Sequence, residues 1–403
     1  MKPFGRLLDF DNALAIVLNA VVPVDTSESV PIKNLFGRVL AEDLRAIMSI
    51  PPFSRAAMDG YAVIAEDTFG AGRRSPKSLR VVDQIFAGDA PFVTTEKGKA
   101  VQIATGAPMP AGADAVVMVE ETERVDEQVN IYKAVYPGAN IGQAGEDIKQ
   151  GEIILKQGTQ FDAGKIGVLA SQGFSEASVF RKPRVAIMPT GEEIAPAGQA
   201  LKPGQIYDIN SHTLAAVVGS NGGEPVKMPI AEDKPLKLRT AIEKALENDM
   251  VVISGGSSVG ERDLMFSILE DLGKVLFHGI QVKPGKPTMF AVIDGKPVLG
   301  MPGYPTSCLI NGHVLLAPAV RKMARLPVEA KRPAEAMLAQ SVPGSVGRRQ
   351  FLPVKLVAGQ AWPLFKESGA ITATAEADGY LDIPANIDIL EKGETVRVFL
   401  FNG

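Results

Sequence analysis

"MVVISGGSSVGERDLMFSILEDLG", Met250 to Gly273, carries the three parts of an α/β unit in one run. Met250 to Ser254 is continuously apolar, as expected of a strand covered on both faces. Small residues follow it, and "RDLMFSILEDLG" then has the apolar spacing of a helix. The alternation recurs on either side. "RVAIMPTG" from Arg184 and "EPVKMPI" from Glu224 read as strands, while "SHTLAAVVGSNGG" from Ser211 reads as a helix. "PLKLRTAIEKALEND" reads as another helix, with Pro235 in its first turn. "TMFAVIDGKPVLGMPG" is a hairpin signal around Asp294-Gly295, and "YPTSCLINGHVLLAPAVRKMARL" is the last long helix. Strands alternating with helices predict a parallel sheet covered on both faces, with ligands at the carboxyl ends of its strands.

The flanks read differently. From Pro51 to about Ala144 the signals are mostly β, as in "LRVVDQIFAG", "KAVQIATG" and "DAVVMVEE". "GEIILKQGTQ" is a further strand, and "DAGKIGVLASQG" is a helix capped by Asp162 and stopped by Gly173. At the start, Asp11 reads as the N-cap of an amphipathic helix rather than as part of a signal peptide. Beyond Pro327 short strands with Gly and Pro turns predict a small all-β domain. A chain of 403 residues exceeds one ordinary core, and no Ser/Gly-rich or Pro-rich linker divides it.

Composition narrows the function. The chain is 46% apolar and 22% charged, a soluble globular balance, and its net charge of −4 argues against a general grip on nucleic acid. No run approaches membrane-spanning length, so the expected setting is cytoplasmic. A single cysteine, Cys308, excludes an intrachain disulfide framework. With only His212, His278 and His313 beside it, zinc-cluster and iron–sulfur readings also fall away. A metal held by these side chains should be a hard ion on oxygen ligands, with magnesium the default.

Four loops that follow strands of the α/β half carry the chemistry. In "SGGSSVGERD", backbone N–H groups with Ser257 and Ser258 suit a phosphate; a plain strand-to-helix connection would use the same residues. "KPGKP" sets Lys283 and Lys286 between stiff prolines, either to converge on an anion or as a solvated basic turn. "MPGYPTS" offers a helix start at Pro305. Against these stand the acids Glu192, Glu193, Asp208, Asp233 and Asp263. Carboxylates beside a phosphate repel it unless a cation lies between, which predicts magnesium bridging protein and substrate. The plainer alternative makes Asp263 a helix cap and Glu193 a surface charge. Asp59, in "PPFSRAAMDGYAV", sits in what local chemistry reads as an Asp-Gly turn between strands.

In order along the chain, "SRAAMDGYAV", "ATGAPMPAGADAVVMVEE", "GEDIKQGEIILKQGT", "PRVAIMPTGEE", "GQIYDIN", "SGGSSVGERD", "IQVKPGKPTMF" and "GMPGYPTSC" resemble the MoeA-type molybdopterin molybdenumtransferases, a family that includes the gephyrin E domain. The resemblance runs from the first helix to the last strand. It implies a multidomain α/β plus β fold in four parts. These are a MogA-like three-layer α/β molybdopterin-binding domain (1–22 with 181–326), a small discontinuous domain (23–48 with 145–180), a β-rich domain (49–144) and a C-terminal β-barrel (327–403). It implies a homodimer that inserts molybdate into adenylylated molybdopterin. Magnesium assists cleavage of the phosphoanhydride, and AMP and molybdenum cofactor are released. A MogA-type adenylyltransferase and recipient molybdoenzymes are the implied partners.

By motif match the resemblance carries over Asp59, Thr105, Asp147, Glu193, Asp233, Asp263, Lys283, Lys286, Pro302 and Ser307, with Glu193, Asp233 and Asp263 as metal ligands. It also implies that Asp59 reaches the metal or molybdate zone from the opposite subunit. Three departures stand out: Arg55-Ala56 replaces a frequent Asn-Ser, Tyr304 interrupts "PGNP", and "TGDE" becomes Thr190-Gly191-Glu192-Glu193. The competing expectations are a gephyrin-like scaffold or carrier, a tungstate-preferring paralogue and an adenylyltransferase. The scaffold would favour a fused MogA-like domain and a long linker, and neither is expected here.

Overall fold

Alternating side chains build the α/β layer in the computed structural model, which describes residues 7–90, 92–255, 264–328, 333–367 and 369–401. Val185 and Ile187 of the strand Arg184–Pro189 join one buried cluster, while Ala186 and Met188 join another. In the strand Met250–Ser254, Met250 and Val252 belong to the first cluster and Val251 and Ile253 to the second. A strand apolar at every position thus supplies two cores at once. The helices Phe10–Ala20 and Asn210–Ser220 add Phe10, Ala13, Val17, Leu214 and Val218 to the first core. Pro235–Ala245 and Leu264–Leu272 add Leu238, Ile242, Met265 and Leu269 to the second. Each fully buried Leu or Ile contributes roughly 1.5–3 kcal/mol relative to exposure.

The sheet runs Glu224–Lys227, Arg184–Pro189, Met250–Ser254, Lys296–Met301, Met289–Ile293, Lys274–His278. Its first four strands are parallel, with Val185 opposite Pro225 and Val252 opposite Leu299. The last two pair antiparallel, so the expected parallel sheet is mixed at one edge. The Asp294-Gly295 hairpin is the cause, and both residues have the positive φ that its turn needs (50° and 75°).

Two helix readings need correction. The first helix is capped by Asp9, whose carboxylate accepts from Asn12 N at 3.0 Å, and not by Asp11. Starting at Phe10 puts Phe10, Ala13 and Val17 on one face. Asp11 then falls in the first turn, where it receives Arg349 of the C-terminal domain at 2.5 Å. The last long helix is not uniform either: Pro305–Asn311 passes through a π segment, Gly312–Leu316, into Ala317–Met323. Pro318 lacks the N–H that a regular turn would use, and the wider turn lies immediately before it. Asp162 and Gly173 bracket the helix Ala163–Ser171 as read, with Asp162 accepting from Lys165 N at 3.0 Å.

The C-terminal strands close on themselves. Their order is Arg349–Val357, Gln360–Pro363, Ala334–Leu338, Thr395–Leu400, Gly379–Ile383, and the last pairs back onto the first through Val354 and Gly379. The result is a five-stranded barrel around Leu338, Val354, Leu381 and Val398. Val282–Lys283 extends it in parallel, with Lys283 opposite Gln350.

The chain divides into two compact units, one of Met1–Glu28, Gly37–Val39 and Val179–Gly403, the other of Ser29–Phe36 and Leu40–Ser178. The second unit holds a six-stranded sheet in the order Ala115–Met118, Gly60–Val63, Lys99–Ile103, Lys77–Ile85, Gln128–Ile131, Thr122–Val125. Gly60 is required there, because a Cβ would lie 1.8 Å from Val117 O on the neighbouring strand. Among the described residues no helix is long and apolar enough to cross a membrane.

Candidate active site

The carboxyl ends of the parallel strands surround a cavity of about 520 Å³. Its lining includes Thr190 and Glu193 after the first central strand, Ser254 and Gly255 after the second, and Pro302, Gly303 and Ser307 after the third. Tyr207, Asp208 and Asn210 close another side. Parallel strands ending in Gly-rich turns direct their loops to one edge, which is why residues over a hundred positions apart meet here.

Glu193 lines the cavity, and Asp233 lies beside its loop. Thr190 bridges Ala231 in parallel, and Gly191 N donates to Ala231 O at 3.4 Å, so the 190–193 loop lies beside Asp233. Partial desolvation, then the charges of Glu193 and Glu192, hold the Asp233 carboxyl above the ordinary aspartate range, although the residue is exposed overall. Neighbouring Glu232 behaves oppositely: Lys234 and Lys237 hold it down to about 2. Lys234 and Lys237 pair with Glu232, Lys234 also lies 4.0 Å from Glu192, and among the described residues no ion pair to Glu193 or Asp233 is formed. Among the described residues no group of three or more His, Cys, Asp or Glu could hold a metal by itself. Two carboxylates that repel each other still fit magnesium, which commonly takes one or two protein carboxylates and completes its shell with phosphate and water.

Asp208 lines the cavity and also closes a helix turn. Its oxygens accept from Ser211 N at 3.0 Å and from Ser211 Oγ, closing the first turn of Asn210–Ser220. Asn210 then donates to Gly303 O at 2.9 Å and fixes the 302–305 loop. Ser307 lines the cavity and is nearly buried. The lysine turn is pinned from below. Asn311 Nδ2 donates to Gly285 O at 3.0 Å and to Thr288 Oγ1 at 2.7 Å. Gly285 has φ +100°, and a Cβ there would strike the Asn311 amide at 2.4 Å. Pro287 of this turn lines the cavity; Lys283 and Lys286 are not in its lining.

The other carried-over residues lie in the second unit. Thr105 donates to Asp59 from its backbone N at 2.6 Å and from its hydroxyl at 2.7 Å. These bonds, the backbone one first, hold the Asp59 carboxyl below the ordinary range. Asp147 is exposed on a segment tied to Ile50 O by its own N–H at 3.0 Å. Ser257, Ser258 and Asp263 lie outside the described residues. The histidines stand apart from the cavity. His212 meets Lys227 at 2.8 Å, His278 stacks on Phe266, and burial pushes His313 down to about 4. Cys308 is buried, which raises its thiol far above reactive values.

Three family models cover nearly the whole chain: the MoeA N-terminal region (domains I and II) over 8–173, a probable molybdopterin binding domain over 186–322, and the MoeA C-terminal region (domain IV) over 335–401. The chain belongs to the MoeA family of molybdopterin molybdenumtransferases. It is 36% identical to the molybdopterin molybdenumtransferase of a Nostoc species over 81% of this chain and 77% of that one. It is 33% identical to molybdopterin molybdenumtransferase 2 of Mycobacterium tuberculosis over 97% and 98%. A crystal structure of a MoeA molybdopterin biosynthesis protein from Pyrococcus horikoshii matches with a TM-score of 0.87, 44% identity, and 99% and 100% coverage. The MoeA fold and the transferase class expected from the motifs both hold. Sequence reasoning missed Asn210, Asn311 and Thr190. The "YDIN" motif contained Asn210, but its bond to Gly303, 93 residues away, has no local signal.

Proposed function

We propose that this MoeA protein inserts molybdate into adenylylated molybdopterin, cleaving the phosphoanhydride and releasing AMP and molybdenum cofactor. The observation that carries the reading is the cavity at the strand ends, lined by Glu193, whose charge acts on Asp233, and by Pro287 of the lysine turn. A phosphoanhydride is polyanionic, so it needs cations on both flanks. Lys283 and Lys286 supply fixed charge on the turn that Asn311 holds. Glu193 and Asp233 would hold magnesium, which when bound neutralises charge on the phosphates. Ser307 and the loop held by Asn210, both in the cavity lining, would orient the substrate. The side chains include no soft metal-ligand cluster among the described residues, so the substrate's dithiolene must supply sulfur to the molybdenum.

We assign Asp59, fixed as an anion by Thr105, to the same reaction from the second chain of a homodimer, in cytoplasm. The adenylylated substrate then comes from an adenylyltransferase, and molybdoenzymes take the product. The test is AMP release from adenylylated molybdopterin with magnesium, as molybdate and then tungstate are titrated. Oxyanion-dependent release at micromolar levels is expected. Tight substrate binding without release would replace the transferase with a carrier.

A further inference from the structure

The cavity contains two features that neither the acid pair nor the lysine turn explains. Tyr304 is 67% exposed and Tyr207 43% exposed, and both line it. Large aromatic rings left in water at a concave site lose the burial that normally repays them, which makes such rings a signal for a ligand. The Tyr207 ring is held, and the backbone of Tyr304 is fixed. The Tyr207 hydroxyl donates to Gln199 O at 2.8 Å, and its strand Ile206–Tyr207 is paired in parallel with Ile194–Ala195. Tyr304 is followed by Pro305 at the start of Pro305–Asn311, and its Cδ1 lies 3.8 Å from where a Cβ on Gly369 would stand. Its backbone belongs to the loop that Asn210 holds through Gly303 O. The apolar lining beside them includes Ile194, Ile206, Pro287 and Pro302, whose side chains carry no hydrogen-bond donors.

We propose that Tyr304 and Tyr207 form an aromatic seat that takes a planar heterocycle of the substrate and so sets substrate affinity in this protein. The inference rests on the transferase reading of the same cavity. Stacking on an aromatic side chain tolerates many flat heterocycles and depends on ring area. Both the pterin and the adenine of adenylylated molybdopterin have the required chemistry, and a cavity of about 520 Å³ has room for a bicyclic ring. The two tyrosines are assigned to binding, through their rings.

Two measurements on the full chain test this. In the AMP-release assay, Tyr304→Ala should raise KM for adenylylated molybdopterin about tenfold with kcat within about twofold, and Tyr207→Ala should follow with a smaller rise. Tyr304→Phe keeps the ring and should restore the binding. KM for molybdate should not move. Separately, quenching of neopterin fluorescence is titrated with and without AMP. Quenching lost in Tyr304→Ala but insensitive to AMP places the pterin on the seat. If AMP binding, followed by calorimetry, is lost instead while neopterin still binds, the seat takes adenine. Unchanged KM in both alanine variants, together with unchanged binding of both probes, overturns the proposal. Absence of AMP release from the wild type would overturn the transferase reading instead, so the two failures are distinguishable.

Discussion

Two aspartates of this chain, one in each compact unit, have been driven in opposite directions. Asp59 sits on an exposed turn and accepts two hydrogen bonds from Thr105, which hold its charge in place. Asp233 stands beside Glu193 and Glu192, where desolvation and like charge favour its protonated form. The first is a finished anion whose partners are built into the fold. The second belongs to a like-charged pair, which under the proposed function a cation would complete. One sequence letter therefore marks two devices, and only the neighbours separate them. Under the proposed function Asp59 would contribute orientation, and Asp233 an affinity for the cation.

The sharpest way to break that contrast is to neutralise each in turn. Asp233→Asn should lower AMP release about 100- to 1000-fold and raise the magnesium concentration needed for half-maximal rate. The melting temperature at neutral pH should stay level or rise, because a repulsive charge has been removed. A variant that loses activity and stability together would make Asp233 a structural residue.

Asp59→Asn should cost AMP release about 10- to 100-fold, most visibly at low magnesium. Full activity at low magnesium would return Asp59 to being a hairpin turn. Thr105→Val keeps the backbone donor and removes only the hydroxyl, so it should cost less, about threefold to tenfold, and leave substrate binding intact. Smaller still in rate is the effect of the pin beneath the lysine turn. Asn311 is fully buried, and Asn311→Ala leaves Gly285 O and Thr288 Oγ1 without their donor. Denaturation should report a loss of about 1–3 kcal/mol, with a modest rise in KM for the anionic substrate as the turn loosens.

How much of this was legible follows the range of the interactions. Strand and helix alternation needs only neighbours in sequence, so Arg184–Pro189, Met250–Ser254 and the Asp294-Gly295 hairpin could be read directly. Asp162 and Gly173 are local signals too. The cap at Asp9 was misassigned because two aspartates two residues apart both suit a helix start, and only the burial of Phe10 decides between them. Asp208 could be named from sequence as one of the acids at the strand ends, but its bonds to Ser211 have no signal of their own there. Asn210 and Asn311 hold loops 93 and 26 residues away, which no periodicity encodes. The acids could be named from sequence as a set, but which of them the lysines pair with depends on Lys234 and Lys237 choosing Glu232.

The smallest predicted effect is also the one with the most informative sign. Asp233 takes up its proton above the ordinary aspartate range, so the folded protein binds that proton before the unfolded chain does. Stability from this group therefore rises as pH falls through the window just above the ordinary value. Activity should move the other way, because the protonated carboxyl no longer attracts magnesium; raising magnesium should shift the acid limb of AMP release to lower pH. Asp59 has the reverse linkage. Its depressed carboxyl adds stability that is present above the ordinary range and is lost as pH falls through its lower, hydrogen-bonded value. Melting temperature followed from neutral pH downward should thus show the Asp233 contribution first and the Asp59 contribution later, with opposite slopes. In Asp233→Asn the first slope should vanish and the second remain. If both slopes persist, the two aspartates do not differ in the way their surroundings imply, and the contrast between a finished anion and a like-charged pair fails.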